Sequence, residues 1–122
     1  MIANEAYVKA LALLDELEPD GSVSSATDEL YREKSIHLIN LLSRTLARYT
    51  GAEYTAINGM DDELCIEDRY ADEILVYGLA AKLALADNEI TLYNEYQSLY
   101  NIGLNSIPAI ESDIIDDMVT FR

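Results

Sequence analysis

The chain is poor in the residues that most small sites depend on. Its 122 residues include one cysteine, one histidine, two prolines and one phenylalanine, with no tryptophan. A single cysteine, Cys65, excludes an internal disulfide and a multi-cysteine zinc site. A single histidine, His37, removes most of the remaining zinc chemistry. Positive charge is scarce as well: eight Lys and Arg stand against 23 Asp and Glu, a net charge of −15. That balance argues against sequence-independent nucleic-acid binding, which needs clustered bases to displace counterions. It argues equally against docking on anionic membranes.

Long apolar runs are missing too. The most apolar stretch, residues 74–86, is interrupted by Tyr77, Gly78 and Lys82 and is shorter than the ~20 residues that span a bilayer. Glu5, Lys9, Asp15, Glu16 and Glu18 stand within the first 18 residues, so no signal peptide is expected there. The expectation is a chain that works, or is assembled, in a cytoplasm. What is present is apolar content: half of the residues. This is too much for a disordered acidic chain and enough for one core.

Hydrophobic period predicts helices. Tyr7, Leu11, Leu14 and Leu17 recur at helical spacing, and Pro19 and Gly21 should stop this first helix. Ser22 to Thr27 offers several side-chain caps, of which Ser25-Ala26-Thr27-Asp28 has capping-box spacing, and a longer helix follows to about Tyr49. Its expected apolar stripe is Leu30, Tyr31, Leu38, Leu42, Leu46 and Tyr49, widened by Ile39 and Leu41. Thr50-Gly51 ends it, with Arg44 and Arg48 suiting the negative end of the helix dipole.

Residues 53–68 break the period. Tyr54-Thr55-Ala56-Ile57 favours a strand, and Asn58-Gly59 is a hairpin signal. Residues 60–63 are poor strand formers, so the excursion is expected to be irregular or a short β-hairpin. Helical spacing resumes at Tyr70, Ile74, Tyr77, Ala81 and Leu85, with Asp68 as cap. A short turn at residues 86–89 sets up an antiparallel pair with a fourth helix. Gly103, Asn105 and Pro108 mark its end. The expected fold is all-α: a bundle of about four helices over residues 1–107, with a carboxy-terminal interaction tail at 108–122.

Chemistry is hard to find. The acids Asp61, Asp62, Glu63, Glu67, Asp68 and Asp72 lack the order of a calcium loop, because Gly59 precedes them. A solvated or ion-pairing surface fits better. His37 lies in a helix with no nucleophile in a known motif beside it, and Cys65 reads as a small buried or edge residue. No cofactor, metal site or catalytic set is expected, and the chain reads as a non-enzyme. Tyr93, Tyr96 and Tyr100 share one helix face. They predict a core rim with hydroxyls reaching water or a carbonyl, with a protein contact as the alternative. The tail carries Ile110, Ile114, Ile115, Met118, Val119 and Phe121 between acids, a pattern that either folds back or meets another chain, and the break at Pro108 favours binding a partner as a strand or short helix.

The order of elements resembles the head–tail connector (adaptor) proteins of tailed bacteriophages. Three runs carry the resemblance: Asp61-Asp62-Glu63-Leu64-Cys65-Ile66-Glu67-Asp68, Ile74-Leu75-Val76-Tyr77-Gly78-Leu79-Ala80-Ala81-Lys82-Leu83, and Tyr93-Asn94-Glu95-Tyr96 onward to Tyr100. It covers residues 4–107, and none of its motifs is catalytic. The resemblance implies a structural virion protein of a phage or prophage, assembled in the host cytoplasm and resident in the virion neck. Such proteins form an oligomeric ring of roughly a dozen copies through a heterologous contact that closes. The ring sits between the portal protein and the next neck or tail component. By the same resemblance, Ile110, Ile114, Ile115, Met118 and Phe121 are candidates for the portal-binding segment.

Charge is uneven along the chain: residues 51–72 carry seven acids and one base, the densest negative stretch. In a channel, a wall that repels phosphate lets DNA pass without holding it. Asp61, Asp62, Glu63, Glu67 and Asp68 are therefore expected to face the lumen or a ring end. The alternative is an acidic partner-binding module such as a DNA mimic or inhibitor, which would compete with DNA for a basic protein. An acyl carrier role is set aside, since Ser22, Ser24 and Ser25 are not in an Asp-Ser-Leu context.

Overall fold

A computed structural model describes residues 1–108. The apolar segment 109–122, with Ile110, Ile114, Ile115, Met118 and Phe121, lies outside the described residues. The described chain is a small all-α bundle of α1 (Ala3–Leu13), α2 (Ser25–Thr50), α3 and α4 (Ile90–Ser106). Helix α3 runs unbroken through Asp68–Tyr70, a π-helical turn at Ala71–Leu75, and Val76–Ala86. No strand occurs among the described residues, and a single isolated bridge joins Ile2 to Glu63. The excursion between α2 and α3 is thus irregular and forms no hairpin.

Helix α1 stops at Leu13, before the proline expected to end it. Asp15 turns into the left-handed region (φ 58°), which lets the Glu16 N–H reach the Leu11 carbonyl at 2.9 Å and the Asp15 N–H reach Ala12 at 3.1 Å. This paired closure satisfies two orphan carbonyls. Helix α3 ends the same way, with Asn88 at φ 60° and the Glu89 N–H on the Ala84 carbonyl. Asp and Asn tolerate this conformation better than other non-glycine residues. At the start of α2 the cap is Ser24, one of the several candidates between Ser22 and Thr27; its side chain accepts the Thr27 N–H.

The buried face of α2 is Tyr31, Ser35, Ile39, Leu42, Ser43, Leu46 and Ala47. This rotates the expected stripe: Leu30 is 63% exposed, Leu41 50% and Tyr49 44%. Two small serines occupy inward positions and hide the true face from a hydrophobicity reading. Helix α3 is the centre of the core, with Leu75, Leu79, Ala80 and Leu83 fully buried. Gly78 receives the Tyr100 ring and the Leu42 side chain, and Gly103 receives Ile74. Gly103 is therefore a packing residue inside α4 and not its end. The reciprocal exchange of a large side chain for a glycine lets α3 and α4 approach closely.

Candidate functional site

The acidic excursion is held by apolar anchors and by backbone. Ile57, Met60, Leu64 and Ile66 are buried, while Asp61, Asp62, Glu63, Glu67 and Asp68 are exposed. Their spacing is not the strict alternation of a strand, which explains why the Asn-Gly turn closes no hairpin. The loop spends its carbonyls on α1 instead. The Ala3 and Asn4 N–H groups donate to Asp62 and Met60 at 2.9 and 2.8 Å, and the Leu64 N–H donates to the Met1 carbonyl at 2.9 Å. Helix α1 has no side-chain cap of its own, so two of its orphan donors are satisfied by the excursion.

Four of the five acids are individually engaged. The Asp62 carboxylate accepts the Asn58 and Gly59 N–H groups at 2.7 and 3.2 Å. Glu63 and Asp68 flank the Met1 ammonium at 3.0 and 2.5 Å. The hydrogen bonds to Asp68 and then Glu63 hold that amine above its ordinary value of 8.0. Glu67 pairs with Arg69 at 3.2 Å, and Asp61 has no ion-pair partner among the described residues. Four of the candidate residues lie on the exposed loop and Asp68 is the first residue of α3; together they form an acidic surface around the amino terminus. Among the described residues no group of three or more His, Cys, Asp or Glu is placed to hold a metal ion.

Three features escaped the sequence reading. Asn40 grips the excursion from α2, donating to the Ile57 carbonyl and accepting its N–H; no motif announces such a contact. The hydroxyls of Tyr7 and Tyr31 donate to Asp28 and Asp87, tying α1 to α2 and α2 to the α3–α4 turn. The third is the outward face of α2. Leu30, Lys34, His37, Leu41, Arg44 and Arg48 follow one another at steps of four and three residues and are all exposed. From residue 34 to 48 the sequence has three bases and no acid. That gap was visible in the sequence, but Leu30 and Leu41 had been assigned to the core.

The tyrosine face of α4 lies along the core rim. Tyr100 is buried, and Tyr96 stacks on Tyr77 with centroids 6.1 Å apart. The Tyr96 hydroxyl donates to the Leu13 carbonyl at 2.8 Å, satisfying one of the free carbonyls at the end of α1. His37 is exposed, and Cys65 is half-buried with a free thiol. No helix among the described residues is long and apolar enough to cross a membrane. No family model matches the chain, and no curated protein or solved structure matches it.

Proposed function

We propose that the chain is a structural protein of a tailed-phage neck, several copies of which form a ring joining the capsid portal to the tail and extending the DNA channel. The observation that carries this reading is the order of elements: a short helix, a long helix, an acidic excursion and a tight helix pair, followed in sequence by an apolar tail. A bundle of this kind offers two different sides for a heterologous contact that closes. Asp61, Asp62, Glu63 and Glu67 on the exposed loop and Asp68 at the start of α3 are neighbours in the chain, and in a ring this surface would line the lumen or an end of the channel and repel phosphate. Ile110, Ile114, Ile115, Met118 and Phe121 would reach the portal.

Sedimentation of the chain alone and with a purified portal ring tests the proposal. Ring-sized complexes on the portal are expected; a chain that never joins a portal would count against it. Competition with DNA for a basic protein, without portal binding, would favour an acidic mimic instead. Placement of residues 58–68 on the outer wall of an assembled ring would sink the lumen assignment.

A further inference from the structure

The outward face of α2 stands apart from the rest of the molecule. Lys34, Arg44 and Arg48 give residues 34–48 a charge of +3 with no acid among them, inside a chain of −15. Leu30 and Leu41 lie on the same stripe at 63% and 50% exposure. The residues facing the core are Tyr31, Ser35, Ile39, Leu42 and Leu46, so the stripe points directly away from α3. An exposed surface both apolar and basic calls for a ligand both apolar and acidic.

The chain itself contains such a ligand. Residues 109–122 carry Ile110, Ile114, Ile115, Met118, Val119 and Phe121 among four acids and one base, a charge of −3 that mirrors the stripe. The lengths agree. From Leu30 to Arg48 the stripe spans about 27 Å of helix, and fourteen residues cover about 21 Å as a helix or about 46 Å extended. The remaining surface is acidic and would repel this segment.

We infer that the α2 stripe of one copy binds the segment 109–122 of a second copy. Where the segment begins favours a second copy over its own: starting behind α2, it would spend its first residues rounding the helix to reach its own stripe. Tyr100 of α4 and Leu42 of α2 meet over Gly78, on the side of α2 opposite the stripe. Ile110 stands two residues beyond Pro108, a reach of about 7 Å, against a helix diameter of about 10–12 Å. Contact within one copy would therefore forgo Ile110, whereas a second copy's stripe can take the whole segment; a monomeric chain is the outcome that contact within one copy would give. The contact joins two different surfaces, so it is heterologous and either closes a ring or extends a filament. It goes beyond the connector reading: it keeps a ring but seats the segment on a neighbouring copy in place of the portal.

Charge exchange tests it on the full chain at physiological salt, where screening over about 8 Å leaves contact-range pairs intact. Wild-type protein is expected to self-associate in sedimentation equilibrium. Lys34→Glu/Arg48→Glu in one variant, and Asp116→Lys/Asp117→Lys in another, should each weaken association about tenfold or more. The second pair lies away from the described fold and serves even where the first perturbs α2. Mixing the two variants should restore association, because one supplies an acidic stripe and the other a basic segment. A monomeric wild type would overturn the inference. So would variants that associate as the wild type does, or a mixture that stays dissociated while all four changes in one chain behave as wild type.

Discussion

Asn40 holds Ile57 by both of its backbone groups: its Nδ2 donates to the carbonyl at 3.0 Å, and its Oδ1 accepts the N–H at 2.8 Å. One side-chain amide thereby does the work of a neighbouring strand for an isolated stretch of extended chain, with Ile57 itself buried. Asn40→Ala leaves both backbone groups unmatched, and each unmatched buried group costs about 1–3 kcal/mol. The variant should unfold at lower urea concentration and lose hydrogen-exchange protection at the Ile57 amide. Unchanged protection there would show that Asn40 is not the anchor.

The two glycines at the α3–α4 crossing should respond to alanine to different degrees. A Cβ on Gly78 meets the Tyr100 ring at 2.7 Å and Leu42 at 2.8 Å, whereas one on Gly103 meets only Ile74, at 2.8 Å. Overpacking costs about 1–3 kcal/mol, set against a gain of about 1 kcal/mol in helix propensity. Gly78→Ala is expected to lower Tm, because two core side chains must move at once. Gly103→Ala should lower Tm by less, since a single side chain, the buried and β-branched Ile74, must shift. Calorimetry on the pair checks the order.

Ser35 and Ser43 are buried with hydroxyls that have no hydrogen-bond partner. Removing an unmatched hydroxyl relieves a desolvation cost of about 1–3 kcal/mol, and alanine is also the better helix former. Ser35→Ala should therefore raise the unfolding midpoint, against the usual direction for a core substitution. A lowered midpoint would show that the hydroxyl is satisfied.

Stability should fall on the alkaline side in two stages. Asp68 and Glu63 raise the Met1 ammonium above its ordinary 8.0. Burial first, then the hydrogen bonds to Asp28 and Asp87, raises the Tyr7 and Tyr31 hydroxyls above their ordinary 10.0. A group raised in the folded state contributes fully below its unfolded value, and that contribution is lost as pH climbs through the folded one. Urea midpoints should thus start to decline above about pH 8 and again above about pH 10. Asp68→Asn should flatten the first decline and Tyr31→Phe the second. A midpoint constant across this range would contradict the assignment.

The helical period alone revealed the helices, because burying one face of each requires apolar residues at 3.6-residue spacing. Gly51 marked the end of α2 for an equally local reason: it sits at φ 79°, where glycine carries no steric cost. The acidic exposure of residues 61–68 was legible for the same reason, since unpaired carboxylates do not enter a core. Segment 109–122 was legible only as composition.

Tertiary structure decided the rest, wherever the deciding partner is remote in sequence. Whether α2 buries Leu30 and Leu41 or its two serines depends on the shape of α3, so the helix turned a basic, apolar stripe outward. Whether the excursion pairs with itself depends on what else needs its carbonyls, and the uncapped start of α1 needed them. The scarcity of positive charge was plain from the sequence; that Lys34, Arg44 and Arg48 face outward together with Leu30 and Leu41 came from packing, because only packing chooses which side of a helix meets water.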